Sequence, residues 1–93
     1  MEESSGRSYP EAAYVMITCK TGLESSVVEE LKSITGITEV ECTSGNYDII
    51  AKIEVQSVES LRDIIAFKIR KAGGVLSTTT LLCTGTATPI IAQ

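Results

Sequence analysis

The sequence predicts an α+β domain in which a four-stranded antiparallel sheet carries two helices on one face. Three observations point there. Strand-type alternation and helix-type periodicity follow one another in the order β-α-β-β-α-β. Gly-containing breaks separate the segments. The 93 residues are enough for one domain, and 43% hydrophobic with 22% charged residues is a globular balance. Aromatic residues make up only 4%, so the core must be built from Val, Ile, Leu and Ala. A chain this short buries roughly 60–65% of the surface its unfolded form exposes, which makes partner subunits a natural source of further burial.

Residues 1–11 are polar, carry Gly6 and Pro10 and show no apolar period, so a flexible arm is expected there. Ala13–Cys19 (AYVMITC) is an apolar, β-branched run of strand length, ended by Thr21 and Gly22. Leu23 to about Ser33 reads as a helix, because Leu23, Val27, Leu31 and Ile34 recur at helical spacing and Gly36 suits a left-handed stop. Ile37–Thr43 sets Thr38, Val40 and Cys42 against Ile37, Glu39 and Glu41, a half-exposed strand. Ser44-Gly45-Asn46 supplies a turn. Tyr47–Val55 follows as the second arm of a hairpin, with Tyr47, Ile49, Ala51, Ile53 and Val55 on the apolar side. Ser57 is a predicted N-cap for the second helix, whose core stripe is Val58, Leu61, Ile65, Ile69 and Ala72 before Gly73-Gly74. Val75–Thr84 is a Thr-rich last strand, and residues 85–93 form a tail holding Pro89-Ile90-Ile91. Right-handed crossovers then give the spatial order 4-1-3-2 with both helices on one face, the ferredoxin-like βαββαβ fold, over a domain of residues 12–84.

Composition excludes several chemistries. The chain has no His, which removes His-dependent nucleophile systems, imidazole metal sites and histidine acid–base catalysis. Its net charge of −4 argues against a phosphate-backbone partner, and Lys68, Arg70 and Lys71 fall where they complement a helix C-terminus. No apolar run reaches the roughly 20 residues of a membrane span, and the polar start is no signal peptide, so a cytoplasmic protein without membrane contact is expected. Cys19, Cys42 and Cys83 form no CxxC pair and read as reduced, small apolar residues; no cofactor or metal is expected. In this topology Cys42 and Cys83 are expected at one end of the sheet and Cys19 at the other.

Two helices cover one side of the sheet, yet the first strand is apolar on both. Val15, Ile17 and Cys19 point one way, Tyr14 and Met16 the other; simple alternation likewise puts Leu76 and Leu82 opposite Val75 and Leu81. Dimerisation through the open face, with Tyr14, Met16 and Leu81 in the interface, accounts for this, the alternative being a tail folded back over it. Phe67 lies about 160° from the helical core stripe at 100° per residue. The tail or a contact between dimers would cover it.

Ala13–Thr84 resembles the effector-binding (RAM) domain of the Lrp/AsnC, or feast/famine, transcription regulators. The match lies in AYVMITC, in Thr35-Gly36-Ile37-Thr38-Glu39-Val40, in Ser44-Gly45-Asn46-Tyr47-Asp48, and in Ser77-Thr78-Thr79-Thr80 after Gly74-Val75. Family members carry an N-terminal helix-turn-helix for which the dozen residues here leave no room, so a stand-alone form without direct DNA binding is expected. The resemblance implies a non-enzymatic sensor whose dimers assemble into rings, commonly octameric, with an amino acid or related metabolite bound between dimers and signalling to protein partners such as a full-length regulator of the family. By position the ligand-binding residues would be Ser44, Gly45, Asn46, Tyr47 and Asp48, with Ser77, Thr78, Thr79 and Thr80. Asp48 suits an ammonium group, the Gly45 and Asn46 amides a carboxylate, and the hydroxyls of the last strand neutral hydrogen bonds. Hairpin and Thr run are not adjacent in one 4-1-3-2 sheet, so a shared site is expected to need a second subunit. The alternatives are plain turn chemistry and strand propensity for these residues, an ACT-like regulatory subunit of an enzyme, a dimeric α/β-barrel enzyme, and a cysteine-based metal or redox module.

Overall fold

The computed structural model describes residues 11–83; the expected arm before Glu11, Thr84 and the expected tail over 85–93 lie outside the described residues. Strand β1 (Glu11–Cys19) is followed by helix α1 (Glu24–Lys32), β2 (Ile37–Cys42), β3 (Ile49–Val55), α2 (Val58–Asp63) running directly into a π-helical segment (Ile64–Ile69), and β4 (Val75–Cys83). The sheet order is β2-β3-β1-β4 with every neighbouring pair antiparallel, which is the predicted ferredoxin-like topology. Glu11, expected in the arm, opens β1 opposite Val55.

The core lies between the sheet and its helices. Ala13, Val15 and Ile17 of β1, Ile49, Ala51 and Ile53 of β3, and Val27 and Leu31 of α1 are all fully enclosed. Burying each of the larger side chains contributes about 1.5–3 kcal/mol. No polar or charged residue is buried among the described residues, so this core carries no desolvated polar group. The Ser57 hydroxyl accepts the Ser60 N–H at 3.1 Å and so caps α2 as predicted. Gly36 sits at φ +103°, and a Cβ there would meet Ile64 Cδ1 at 2.6 Å. The left-handed conformation therefore favours glycine at the turn between α1 and β2, and a Cβ there would in addition push the end of the Ile64 side chain aside.

Four details depart from simple periodicity. In the second helix Ile64 is in the core beside Leu61, Ile69 and Ala72, whereas Ile65 is half-buried and Val58 exposed. The π segment causes this, because its i to i+5 hydrogen bond, Arg70 N–H to the Ile65 carbonyl at 3.1 Å, inserts one residue and advances the buried stripe from Ile64 to Ile69. In β4 an irregularity beside Thr18/Cys19 pairs Thr18 with Ser77 but Cys19 with Val75, leaving Leu76 as the extra residue. Val75 consequently shares the helix-side face with Thr78, Thr80 and Leu82, while Ser77, Thr79 and Leu81 share the open face. A similar shift at Thr38 brings Ile37 to the face of Val40. Lastly, Cys42 lies opposite Ile49 at the Cys19 end of the sheet and Cys83 opposite Ala12 at the other, reversing the expected grouping. All three cysteines are free thiols.

Candidate functional site

The strand-to-strand connection is a six-residue loop, Thr43 to Asp48, wider than the three-residue turn that composition suggests. Gly45 turns it at φ +110°; Asn46 keeps a negative φ. Four hydrogen bonds fasten the loop. The Thr43 N–H donates to the Asp48 carbonyl at 2.8 Å, and the Thr43 hydroxyl donates to the Tyr47 carbonyl at 2.8 Å. The Asp48 N–H donates to the Ile17 carbonyl at 2.9 Å, and the Cys19 N–H donates to Asp48 Oδ2 at 2.8 Å. The loop is thereby clamped to the end of β1, one of the two inner strands.

Between the loop and the open sheet face lies a cleft of about 310 Å³ lined by Met16, Thr43, Ser44, Asn46, Tyr47 and Ile50. Small-molecule sites start near this size, roughly 300 Å³. Met16 and Ile50 give it an apolar floor. The loop adds two hydroxyls, an amide and a phenol, all uncharged. Across β1, the Tyr47 hydroxyl stands 3.5 Å from Thr79 Oγ1, longer than an ordinary O–H···O bond of about 2.7–2.8 Å. Neighbouring strands are about 4.8 Å apart, so a tyrosine side chain bridges from the loop over β1 to β4. Tyr47 and Thr79 therefore approach one another within a single chain, while β1 separates the hairpin from the last strand as the sequence order predicts.

The predicted ligand-binding residues divide accordingly. Ser44, Asn46 and Tyr47 line the cleft, and Gly45 shapes the loop at positive φ, with open space where a Cβ would stand. Asp48 does not line the cleft, and one of its carboxylate oxygens is engaged by Cys19. Thr79 faces Tyr47, and Ser77 shares a 2.6 Å hydrogen bond with the Thr18 hydroxyl on the same face. Thr78 and Thr80 lie on the helix-side face, where Thr80 borders a groove beside α2. Sequence reasoning missed Thr43 and Ile50 as cleft residues. Ile50 carried a signal, being the one apolar residue among the polar positions Asp48, Lys52 and Glu54.

Tyr14, Met16 and Leu81 occupy the open face, with Tyr14 directly opposite Leu81. Leu81 is 52% exposed and Phe67 65%. Lys52 lies 5.7 Å from the Tyr14 ring centroid, within cation–π range, and 3.6 Å from the Glu54 carboxylate. Burial lowers the Lys52 pKa, but Glu54, Tyr14 and Glu39 outweigh it and the ammonium is held above its ordinary range. Among the described residues no group of three or more His, Cys, Asp or Glu converges to hold a metal, and no helix is long and apolar enough to cross a membrane.

The family model for the Lrp/AsnC ligand binding domain matches residues 12–89. The chain belongs to this family. Its role is accordingly that of a regulatory effector-binding domain. Among solved structures, a protein from Thermus thermophilus superposes with a TM-score of 0.80 at 26% identity, covering 85% of this chain and 99% of that one. Escherichia coli AsnC gives 0.79 at 27% identity over 91% of this chain, which is 56% of its own length. A homocitrate synthase from Sulfurisphaera tokodaii is 37% identical over 71 residues, 75% of this chain. The chain spans about 15% of the length of the curated relatives it matches.

Proposed function

We propose that this domain is a homo-oligomeric sensor that binds an amino acid or related small metabolite in the cleft beneath the Thr43–Asp48 loop and transmits its occupancy to protein partners. The observation that carries the reading is the cleft itself: neutral polar groups of one loop converge over an apolar floor in a domain of the Lrp/AsnC ligand-binding family. An amino acid offers a carboxylate, which the Gly45 and Asn46 amides can meet, and an ammonium, for which the loop hydroxyls are acceptors. Its side chain would rest on Met16 and Ile50. Because the cleft opens on the unpaired sheet face, stacking of a second sheet would complete its outer wall.

A second reading is favoured by one comparison. The 71-residue match to a homocitrate synthase accounts for a small part of that enzyme, so the same domain here would act as the effector-sensing part of a metabolic enzyme, alone or as an added subunit. Native mass spectrometry with a panel of amino acids tests the shared premise. A dimer-based assembly gaining ligand mass in whole-site steps is the expected result; a monomer with no mass shift overturns it. Adding purified candidate enzymes or regulators to the same experiment separates the two partners.

A further inference from the structure

The opposite side of β4 holds a second feature, independent of the effector cleft. β4 ends the sheet, so its outer edge pairs with no strand among the described residues. Alternate residues of an antiparallel strand turn their N–H and C=O to the free side, so nine-residue β4 offers about four such positions. Beside that edge runs a groove of about 480 Å³, floored by Val58, Leu61, Ile65 and Leu82 and flanked by Arg62 and Arg70. Leu82 is 62% exposed. Both ionisable side chains lining the groove are arginines, in a chain whose net charge is −4.

The π segment builds one wall. In a regular α-helix Ile65 and Arg70 would lie about 140° apart at 3.6 residues per turn; the wide turn brings both onto the groove. Such segments are rare and recur at functional sites. Spacing adds a further constraint. Arg62 and Arg70 are separated by roughly 12 Å at 1.5 Å per helical residue, and strand positions i and i+4 by about 13 Å at 3.3 Å per residue. A strand laid on the β4 edge therefore presents two same-face side chains at the separation of the two guanidinium-bearing residues, with one side chain between them. Pairing two β4 edges about a two-fold axis would instead crowd four arginines along one seam, which disfavours that pairing of two copies.

We propose that the β4 edge and its groove dock an extended acidic segment of a partner protein as a fifth strand. Carboxylates at positions i and i+4 meet Arg62 and Arg70, and an apolar residue at i+2 enters between Leu61, Ile65 and Leu82. Main-chain hydrogen bonds supply affinity and the alternate side chains supply specificity, the physics of strand addition.

The probe is a fluorescein-labelled peptide with the core Glu-Thr-Val-Thr-Glu, titrated with the full chain and followed by fluorescence anisotropy. Saturable binding is expected, at least about tenfold tighter than for the Lys-Thr-Val-Thr-Lys counterpart. N-methylation of the ladder-facing peptide amides should abolish it. The charge-swapped variant R62E/R70E should prefer the lysine peptide, a gain that a misfolded protein cannot produce. Equal binding of both peptides, insensitivity to N-methylation, or no saturable binding overturns the proposal. Binding seen only in I90D/I91D also overturns it, since the chain's own C-terminal segment is then the occupant.

Discussion

The backbone N–H of Cys19 donates to the Asp48 carboxylate at 2.8 Å, tying the loop that roofs the open-face cleft to the last residue of the inner strand β1. Asp48 is thus a loop anchor. Asp48→Ala should remove the acceptor, leave a part-buried N–H without its partner and cost about 1–2 kcal/mol, read as a lower urea midpoint. Asp48→Asn keeps an acceptor and loses the charge. If the carboxylate also holds a ligand ammonium, the Asn variant will fold normally and bind the effector weakly; unchanged affinity would confine Asp48 to its structural task.

Period-two alternation made β3 legible, because Ile49, Ala51, Ile53 and Val55 all face the core. The β-α-β-β-α-β order followed from the same reasoning and from crossover handedness. Bulges at Thr38 and Leu76 were not legible, since an inserted residue reverses the facing of its neighbours without any residue-type signature. That reversal is why Ser77 and Thr79 part company with Val75. At the site, Ser44, Gly45, Asn46 and Tyr47 were readable as loop chemistry. The approach of Tyr47 to Thr79 was not, because it depends on a long side chain crossing a strand rather than on neighbouring positions in the sheet order.

The π segment makes a prediction that separates it from a regular helix. Ile64 is 7% exposed and packs in the core, whereas Ile65 is half-buried at the groove wall. Ile64→Ala should therefore cost about 2–4 kcal/mol through lost burial and the cavity left behind. Ile65→Ala should cost distinctly less. Chemical denaturation of both variants checks the order, and the reverse ranking would restore the regular helical phase.

Burial pushes the Cys19 thiol above its ordinary range, and the nearby Asp48 carboxylate adds to the rise. The folded protein thus holds this proton more tightly than the unfolded chain. The associated stability is fully present below the unfolded thiol pKa, about 8.5, and is lost as pH rises toward the folded value. Unfolding midpoints should fall between pH 8 and higher pH, and Cys19→Ala should flatten that fall. Lys52, also raised, has the same sign but acts nearer its own ordinary range, about 10.4. Iodoacetamide under native conditions should label exposed Cys42 well before buried Cys19.

Leu81 lies opposite Tyr14 on the sheet face that the helices leave uncovered. If two such faces stack, Leu81 meets apolar surface of the second copy, and an aspartate there would have to be desolvated at a cost of several kcal/mol per ion. A two-fold axis applies that penalty twice. Leu81→Asp should therefore halve the dimer mass in sedimentation equilibrium while leaving far-UV circular dichroism unchanged, because the residue is 52% exposed within its own chain. Ligand mass in the native spectrum should fall along with the dimer, since the outer wall of the cleft leaves with the second sheet. An undiminished assembly mass would show that the open face is not where the copies meet.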